Sequence, residues 1–488
     1  MAAPARRCPL RGAPMRAIAS AFTRAAAQGL RPRAEALVVP ASAPIGLGGN
    51  RFSLLQGGMI WILVLLMIVP EGFDYGLLAS SPGAPTAGGI LSRLLWLGLL
   101  AFGLVVICWR ASAAWLLLRS FNPFLVAFIG LAVASLAWSA DPSITARRLI
   151  RGVTILVDSL AFALLGWHSR RFQSVLRPLF TAVLAGSIVF GLAWPTLAIH
   201  QESSGVLEGA WHGLANHKNG LGNIACIGLL LCLHAFLSRE TPLWKTVIGG
   251  CIAAICLILS RSSTSLMATV FSLIFLTMLL RSPVGLRPYM PYLVGLFVAV
   301  LLVYSLAMLN VIPGMGVFLK PIGTLTGKDL TFTGRTDIWD IMQEHIRLQP
   351  YLGSGYGAYW TGADEATASY EHVRRLQFYP GSAHNGYLEI LNELGAIGLL
   401  VLFGYLIVFV SQALTLLKVD RVQASIYLAL FLQQAITNLA ESRWLSPLSV
   451  DFVIMTLATA GLARALIEHR VNRGSQNAWP PAGTVPAR

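Results

Sequence analysis

The chain has 488 residues, of which 56% are hydrophobic and only 12% charged, and its formal net charge at neutral pH is +15. A soluble domain carries about twice that charged fraction. Apolar runs recur along residues 54–467, and each can cross the roughly 30 Å hydrocarbon core of a bilayer as a helix. The composition excludes a soluble globular protein and predicts an all-α polytopic membrane protein.

About twelve membrane-spanning helices are predicted from these runs. The predicted spans are 54–70, 90–109, 121–138, 149–167, 175–195, 219–237, 243–259, 264–280, 289–310, 386–411, 422–440 and 447–467. Basic residues concentrate in the segments that alternate spans would leave in the cytoplasm, so the positive-inside rule predicts that both termini are cytoplasmic. The net positive charge is then a topology signal and argues against nucleic-acid binding.

The predicted spans divide the chain into five parts. Residues 1–53 are rich in alanine, arginine and proline and are predicted to be a basic disordered cytoplasmic tail. The same composition also fits an organellar transit peptide or an over-long reading frame that should start at Met15 or Met59. Residues 54–310 hold nine spans, 311–385 one large periplasmic loop, 386–467 three spans, and 468–488 a second disordered cytoplasmic tail.

Several basic residues lie near predicted outer ends of spans, where the positive-inside rule disfavours them. An arginine at the bilayer centre costs about 2.5–3.5 kcal/mol, so each of them snorkels to headgroups, pairs with Asp141, Glu389 or Glu441, or serves a function. Guanidinium groups match phosphate oxygens bidentately, so a cluster of them favours a lipid-linked pyrophosphate. The residues are Arg147, Arg148, Arg151, Lys218, Arg261 and Arg443.

The loop 311–385 is predicted to be ordered, because it contains tryptophans and a helical pattern from Thr336 to Leu348 with one apolar side. Thr336 is predicted to cap this helix. Arg335 stands before it, where its charge would join the unpaired N–H groups of the first turn at an anionic group, unless it is a plain surface arginine. The stretch 353–357 contains three glycines but lacks the preceding strand and the lysine of a phosphate-binding loop, so it is predicted to form turns.

His384 lies at the mouth of the span that begins near Gly386, and Glu389 and Glu393 follow at i,i+4 spacing. Carboxylates inside an apolar span are costly and usually functional. A neutral imidazole beside them can accept a proton from a sugar hydroxyl, although a histidine that only caps a helix is the alternative. The spacing of the other histidines and of the six cysteines predicts neither a metal site nor a disulfide.

Several motifs together resemble the O-antigen ligase and polymerase superfamily. The resemblance covers about residues 95–465, and its finer similarity is to exopolysaccharide polymerases of the succinoglycan type. The motifs are Trp138-Ser139-Ala140-Asp141-Pro142, Asn216-His217-Lys218-Asn219-Gly220, Phe332-Thr333-Gly334-Arg335, the run from Pro350 to Gly357, and Ala383-His384-Asn385-Gly386-Tyr387-Leu388-Glu389.

The resemblance implies a metal-independent, cofactor-free glycosyltransferase with a GT-C-like fold in the bacterial inner membrane. Its donor would be an undecaprenyl-pyrophosphate-linked oligosaccharide on the periplasmic face. By motif position, Arg261 and Arg335 would bind the pyrophosphate, and His384 would orient or deprotonate the acceptor hydroxyl. Glu389 is then either the partner of the imidazole or the base itself. The clustered Lys218, Arg147 and Arg148 are predicted to join the pyrophosphate site.

Three functions remain open at this point. The first is polymerisation of lipid-linked repeat units into an exopolysaccharide, in contact with membrane lipid and with the chain-length regulator and flippase of the same pathway. The second is a ligase that transfers a lipid-linked glycan to lipid A core or to protein. The third is a transporter of saccharide-lipids or small anions. Transporters usually place charge near the bilayer midplane, whereas here charge gathers at one face, which favours chemistry.

Overall fold

The computed structural model describes residues 53–68, 90–165, 171–201, 207–308 and 335–478. These residues form helices and one isolated antiparallel bridge between Ile199 and Trp211. The helices are α1 (Ser53–Ile68), α2 (Ile90–Trp109), α3 (Ala111–Ser120), α4 (Pro123–Ala134), α5 (Pro142–Leu165), α6 (Gln173–Ala193), α7 (Pro195–Ala198), α8 (Lys218–Ser238), α9 (Leu243–Leu259), α10 (Ser263–Arg281), α11 (Met290–Met308), α12 (Arg335–Leu348), α13 (Tyr370–Leu376), α14 (Gly386–Leu417), α15 (Arg421–Thr437) and α16 (Val450–Ala478).

Every predicted span coincides with one of these helices, and the protein is an all-α polytopic membrane protein. Among the residues that the structure describes, six helices are long and apolar enough to cross a membrane, or seven if α3 and α4 form one broken span. The predicted tail 1–53, apart from Ser53, and the loop residues 311–334 lie outside the described residues. Helix α16 continues to Ala478, so residues 468–478 are helical and were wrongly assigned to the disordered tail.

Two spans begin differently from the prediction. The predicted span 121–138 begins at a sharp bend, where α3 meets α4 at an angle of 101°. Asn122 starts α4 by accepting the N–H of Phe124, and its amide donates to the Tyr405 carbonyl at 2.9 Å. The predicted span 149–167 belongs to a helix that already begins at Pro142, where Asp141 accepts the N–H groups of the first turn. Arg147, Arg148 and Arg151 therefore lie on α5 itself.

Helix α12 confirms the predicted helix in the large loop. Ile338, Trp339, Ile341 and Met342 are buried on one side, and the Trp339 indole donates to the Ala383 carbonyl at 2.8 Å. The helix begins at Arg335, so Arg335 is its first residue and Thr336 lies within the first turn instead of at the cap. Through Trp339, the loop is fastened to the residue that precedes His384.

Helix α14 is interrupted at Gly395, whose φ of 63° and ψ of −166° are not helical. The stretch Pro350–Gly357 crosses α14 at this break. Its Pro350 carbonyl accepts the N–H of Ala396 at 2.9 Å, and its Gly355 N–H donates to the backbone carbonyl of Glu393 at 2.8 Å. A Cβ on Gly353 would lie 2.5 Å from the Glu393 carbonyl carbon, so the glycine permits close approach of two backbones. The crossing fixes the short first half of α14, which carries Glu389.

The corner before α5 holds the same stretch from the other side. The Trp138 indole donates to the Leu352 carbonyl at 3.1 Å, and the Ala140 N–H donates to the backbone carbonyl of Ser354 at 2.9 Å. Arg148 donates to the Trp360 carbonyl at 3.1 Å. The motif around Trp138 therefore contacts the loop, which packs at the start of α5 and against the first half of α14.

Candidate active site

A cavity of about 610 Å³, here called the histidine cleft, opens where the large loop rejoins α14. It combines polar side chains from the start of α8, from the loop and from the connection between α15 and α16. Its lining includes His217, Asn219, His384, Glu441 and Arg443.

His384 directly precedes the cap of α14. Asn385 caps the helix by accepting the N–H groups of Tyr387 and Leu388 at 3.0 and 3.1 Å. His384 has a φ of 49°, a left-handed backbone conformation that is uncommon outside glycine. The N–H of Asn385 donates to Ser442 at 3.2 Å, which helps hold this turn. The His384 side chain is 29% exposed and lines the cleft, so a substrate can reach it.

Glu441 is the carboxylate that faces the His384 ring, with Oε2 at 3.8 Å from Nδ1. Asn219 donates to Oε1 of Glu441 at 2.6 Å, and a guanidinium nitrogen of Arg335 lies 3.4 Å from the same oxygen. Burial alone would raise the pKa of Glu441, but the His384 contact and the charges of Arg443 and Arg335 lower this pKa to about 2. Glu441 is therefore a carboxylate at every physiological pH.

Arg335 connects the loop helix to this carboxylate. Besides the Glu441 contact, its guanidinium donates to the Ala440 carbonyl at 2.5 Å, and its side chain is only 20% exposed. Burial lowers the pKa of Arg335, and the charge of Glu441 opposes that shift. Arg335 is thus a half-buried member of the site and not a surface arginine on a loop.

Arg443 ties the cleft to the helix bundle. Its guanidinium lies 3.2 Å from the Asp451 carboxylate and donates to the Asn219 carbonyl at 3.2 Å. Asp451 also accepts from Asn223 at 2.9 Å, and from Gln434. These polar contacts join α8, α15 and α16 inside the bundle, so the residues that flank Glu441 are held from three helices.

The start of α8 forms another wall of the cleft. The His217 ring accepts the N–H of Asn219 at 3.3 Å and caps the helix. Burial lowers the pKa of His217 to about 4, so the ring is neutral and can act as this acceptor. The ring of His200 lies 5.2 Å from it. Within the part of the chain that the structure describes, no three His, Cys, Asp or Glu side chains are grouped to hold a metal ion.

Lys218 and Arg261 lie beside this wall. Lys218 follows His217, and the charges of Lys218 and Arg261 are close enough to act on each other. Arg261, in the short connection between α9 and α10, donates to the Glu208 carbonyl at 2.9 Å, and the neighbouring Leu207 lines the cleft. The structure therefore brings Lys218, Arg261 and Arg335 to one region, although they come from three parts of the sequence.

Arg147 and Arg148 lie elsewhere. They line a second cavity of about 480 Å³, here called the arginine pocket, between α2 and α5. Leu448 lines both cavities, so the two are neighbours. The five basic residues that were predicted to form one pyrophosphate site therefore separate into two groups. The lining of the arginine pocket includes Arg93, Trp96, Arg147, Arg148, Arg151 and Leu448.

Glu389, expected beside His384, faces the backbone instead. Its Oε2 accepts the N–H of Ala383 at 2.8 Å, and the ring of His384 contacts Glu441. The sequence reasoning missed Glu441 as the partner of the imidazole. The available signal was its position two residues before Arg443, in a short connection that carries charge at the outer face.

The chain is similar in sequence to a known family and to a known protein. The sequence model of a family described as O-antigen ligase matches residues 248–403, which include Arg261, Arg335, His384 and Glu389. The chain is also 33% identical over 313 residues to the exopolysaccharide production protein ExoQ of Rhizobium meliloti (strain 1021). That alignment covers 61% of this chain and 67% of the relative.

Proposed function

Because the chain belongs to the O-antigen ligase family, we propose that it is a glycosyltransferase that polymerises undecaprenyl-pyrophosphate-linked repeat units into an exopolysaccharide. The name of the Rhizobium meliloti relative, an exopolysaccharide production protein, favours polymerisation. The enzyme would have about twelve spans and a GT-C-like fold, and both termini would be cytoplasmic. It would act on the periplasmic face of the bacterial inner membrane, without a metal ion.

The observation that carries this proposal is the accessible His384 ring beside a permanently ionised Glu441. In the proposed reaction, a hydroxyl oxygen of the acceptor sugar forms a bond to the anomeric carbon of the donor. The bond from that carbon to the pyrophosphate oxygen breaks, and undecaprenyl pyrophosphate leaves with the electron pair. The hydroxyl proton passes to the imidazole of His384, which becomes an imidazolium cation.

Glu441 would be the positioning residue of this pair. Its carboxylate holds the Nδ1 side of the ring, which leaves Nε2 to take the proton, and it stabilises the imidazolium that results. Arg335, Arg443 and Asn219 in turn fix the carboxylate. The pair therefore supplies a base whose orientation does not depend on the substrate.

The leaving pyrophosphate requires cations at the same place. Arg335 brings its charge to the Glu441 side of the cleft, and Lys218 and Arg261 add theirs beside the His217 wall. Guanidinium groups suit the transferring phosphate oxygens because they bind bidentately. We assign donor pyrophosphate binding to Arg335, Arg261 and Lys218.

A deletion strain tests the proposed reaction when lipid-linked saccharides and secreted polymer are analysed together. A polymerase predicts that single lipid-linked repeat units accumulate while polymer disappears. The strain is complemented with the parental gene and with His384→Ala, and the variant should leave the accumulation in place. A strain that still makes polymer of normal length, with no accumulated repeat unit, contradicts the proposal.

A ligase is the second candidate, because the matching family is described as O-antigen ligase. The same cleft could transfer a finished glycan to a lipid A core or protein hydroxyl, since the donor chemistry is identical. The deletion strain separates the two reactions. Full-length lipid-linked polymer would accumulate without a ligase, whereas single repeat units accumulate without a polymerase.

A further inference from the structure

The proposed reaction assigns no role to the arginine pocket. Four guanidinium groups line one cavity of about 480 Å³, from Arg93 on α2 and Arg147, Arg148 and Arg151 on α5. Among the residues that the structure describes, none that lines it is an aspartate or a glutamate. The histidine cleft differs, because Glu441 lies among its cations.

Three of the guanidinium groups have partners that position them at the cavity. Arg148 donates to the Trp360 carbonyl at 3.1 Å, and Arg151 lies 5.6 Å from the centre of the Trp96 ring. Arg147 donates to Ser143 at 3.3 Å, and Asp141 stands close enough for its charge to act on Arg147. Glu389 and Glu393 likewise stand close enough for their charges to act on Arg148. None of these three carboxylates lines the pocket among the residues that the structure describes, so the charged groups of its described lining are all guanidinium groups.

The remaining lining is apolar and exposed. Leu97, Ile150 and Leu448 are 51%, 41% and 49% exposed, and Leu97 belongs to the candidate span that begins at Ser92. Arginines at the end of a membrane helix next to exposed leucines suit a ligand with a phosphate headgroup and a hydrocarbon chain. This lining suits an anionic lipid.

We propose that the arginine pocket binds the pyrophosphate of a second lipid-linked saccharide, the acceptor. This inference rests on the proposed polymerase reaction, in which both substrates carry a lipid pyrophosphate. The acceptor hydroxyl lies on its saccharide, away from its own pyrophosphate, so that pyrophosphate must be anchored beside the cleft and not in it. The arginine pocket meets this condition, because only Leu448 is common to the two cavities.

Native mass spectrometry of the purified full-length protein with undecaprenyl pyrophosphate tests the proposal without requiring turnover. The parental protein should bind two molecules, and the Arg93→Gln/Arg151→Gln variant should bind one. Arg335→Gln, which removes the guanidinium group that contacts Glu441 beside the histidine cleft, should also bind one. The matched control is Arg119→Gln, because Arg119 lies 5.1 Å from the Trp115 ring but lines neither cavity. This control should bind two.

A kinetic measurement extends the test to the acceptor role. With lipid-linked repeat units as substrate, Arg93→Gln/Arg151→Gln should raise KM about tenfold or more while kcat falls much less, because ground-state binding is lost. A variant that lowers kcat and leaves KM unchanged contradicts the acceptor assignment.

Other outcomes overturn the inference in distinguishable ways. A parental protein that binds one carrier, or a pocket variant that still binds two, removes the second site. If phosphatidylglycerol in equal amount displaces the second carrier, the pocket binds ordinary phospholipid and the inference is wrong. One bound carrier with accumulated repeat units in the deletion strain would overturn this inference alone, and two bound carriers without that accumulation would overturn the proposed function instead.

Discussion

At the residue scale, the contact between His384 and Glu441 joins positions that sequence spacing does not relate. The sequence predicted His384 from its place at the mouth of a span, and Glu389 as its neighbour one turn further along the helix. The structure places the Glu389 carboxylate against the Ala383 N–H and the His384 ring against Glu441. Glu441 is near His384 only because α14 and α15 pack side by side.

The roles of the pair predict different losses for its two members. His384→Ala should lower turnover by about 10²–10⁴-fold with donor binding retained, because a positioned base contributes that factor. Glu441→Gln should lose less, since the imidazole remains but its orientation and the charge beside the imidazolium do not. Single-turnover kinetics and a donor-binding assay measure both effects. Loss of donor binding in His384→Ala would move this residue from the base to the pyrophosphate site.

The depressed pKa of Glu441 also predicts how stability varies with pH. A carboxylate whose folded-state pKa lies at about 2, below the usual 4.5, stabilises the fold above pH 4.5 and loses this contribution as the pH falls towards 2. The difference in Tm between the parental protein and Glu441→Gln should therefore stay constant from pH 5 to pH 8. A difference that shrinks within this range would show that Glu441 titrates near neutrality.

Substitutions of Arg335 distinguish a requirement for positive charge from a requirement for the planar guanidinium group. Arg335→Ala should abolish polymer, and Arg335→Lys should restore only part of it, because an ammonium group cannot reproduce bidentate contacts. Arg347→Ala is the matched control, since Arg347 lies on the same helix and is exposed. Polymer yield is measured at equal membrane abundance. Parental yield from Arg335→Ala would reduce this arginine to a structural residue.

At the scale of elements, apolar periodicity predicted helices well and breaks poorly. The pattern from Thr336 to Leu348 predicted α12 to within one residue, because its buried side alternates regularly with polar residues. The break at Gly395 was missed because the predicted span 386–411 is uninterrupted, and the bend before Pro123 was missed because residues 110–120, which include α3, were placed between two predicted spans. Their causes are tertiary: the Pro350–Gly357 stretch crosses α14, and the Asn122 side chain reaches Tyr405.

Alanine substitutions at two glycines, one at the break in α14 and one inside α4, should change stability in opposite directions. Gly395→Ala should destabilise the protein by about 1–3 kcal/mol or more, because the backbone conformation favours glycine and a Cβ would lie 2.2 Å from the Tyr351 carbonyl. Gly130→Ala, inside α4 with nothing within 4 Å, should stabilise it by about 0.4–1 kcal/mol. Thermal unfolding in detergent measures both variants. Equal Tm values for the two would contradict the assigned role of Gly395.

At the scale of the whole molecule, composition predicted an all-α membrane protein, because each predicted span overlaps a described helix. Charge predicted a cluster of basic residues, and most of these arginines line the two cavities or lie beside them. Neither property predicted that the basic residues would separate into two cavities. That division depends on how α5 packs against α2, which no local pattern encodes.

The topology prediction is tested by reporter fusions along the chain. A fusion at Ser354 should report a periplasmic position, and fusions at Arg171, Val284 and Val419 should report cytoplasmic positions. The physical reason is the excess of lysine and arginine in short connections on the cytoplasmic side. A cytoplasmic signal at Ser354 would contradict the proposed site, because His384 would then face away from a periplasmic donor.

The position of Glu441 also determines when the protein becomes active during its synthesis. The residues that hold this carboxylate, Asn219, Arg335 and Arg443, are far apart in the chain, and the last one is anchored by Asp451 on α16. A nascent chain that has inserted α14 already carries His384 and Arg335 but lacks the group that orients them. The site is therefore assembled only when α16 enters the membrane, so under the proposed function a ribosome-bound chain that still lacks α16 would not consume its substrate.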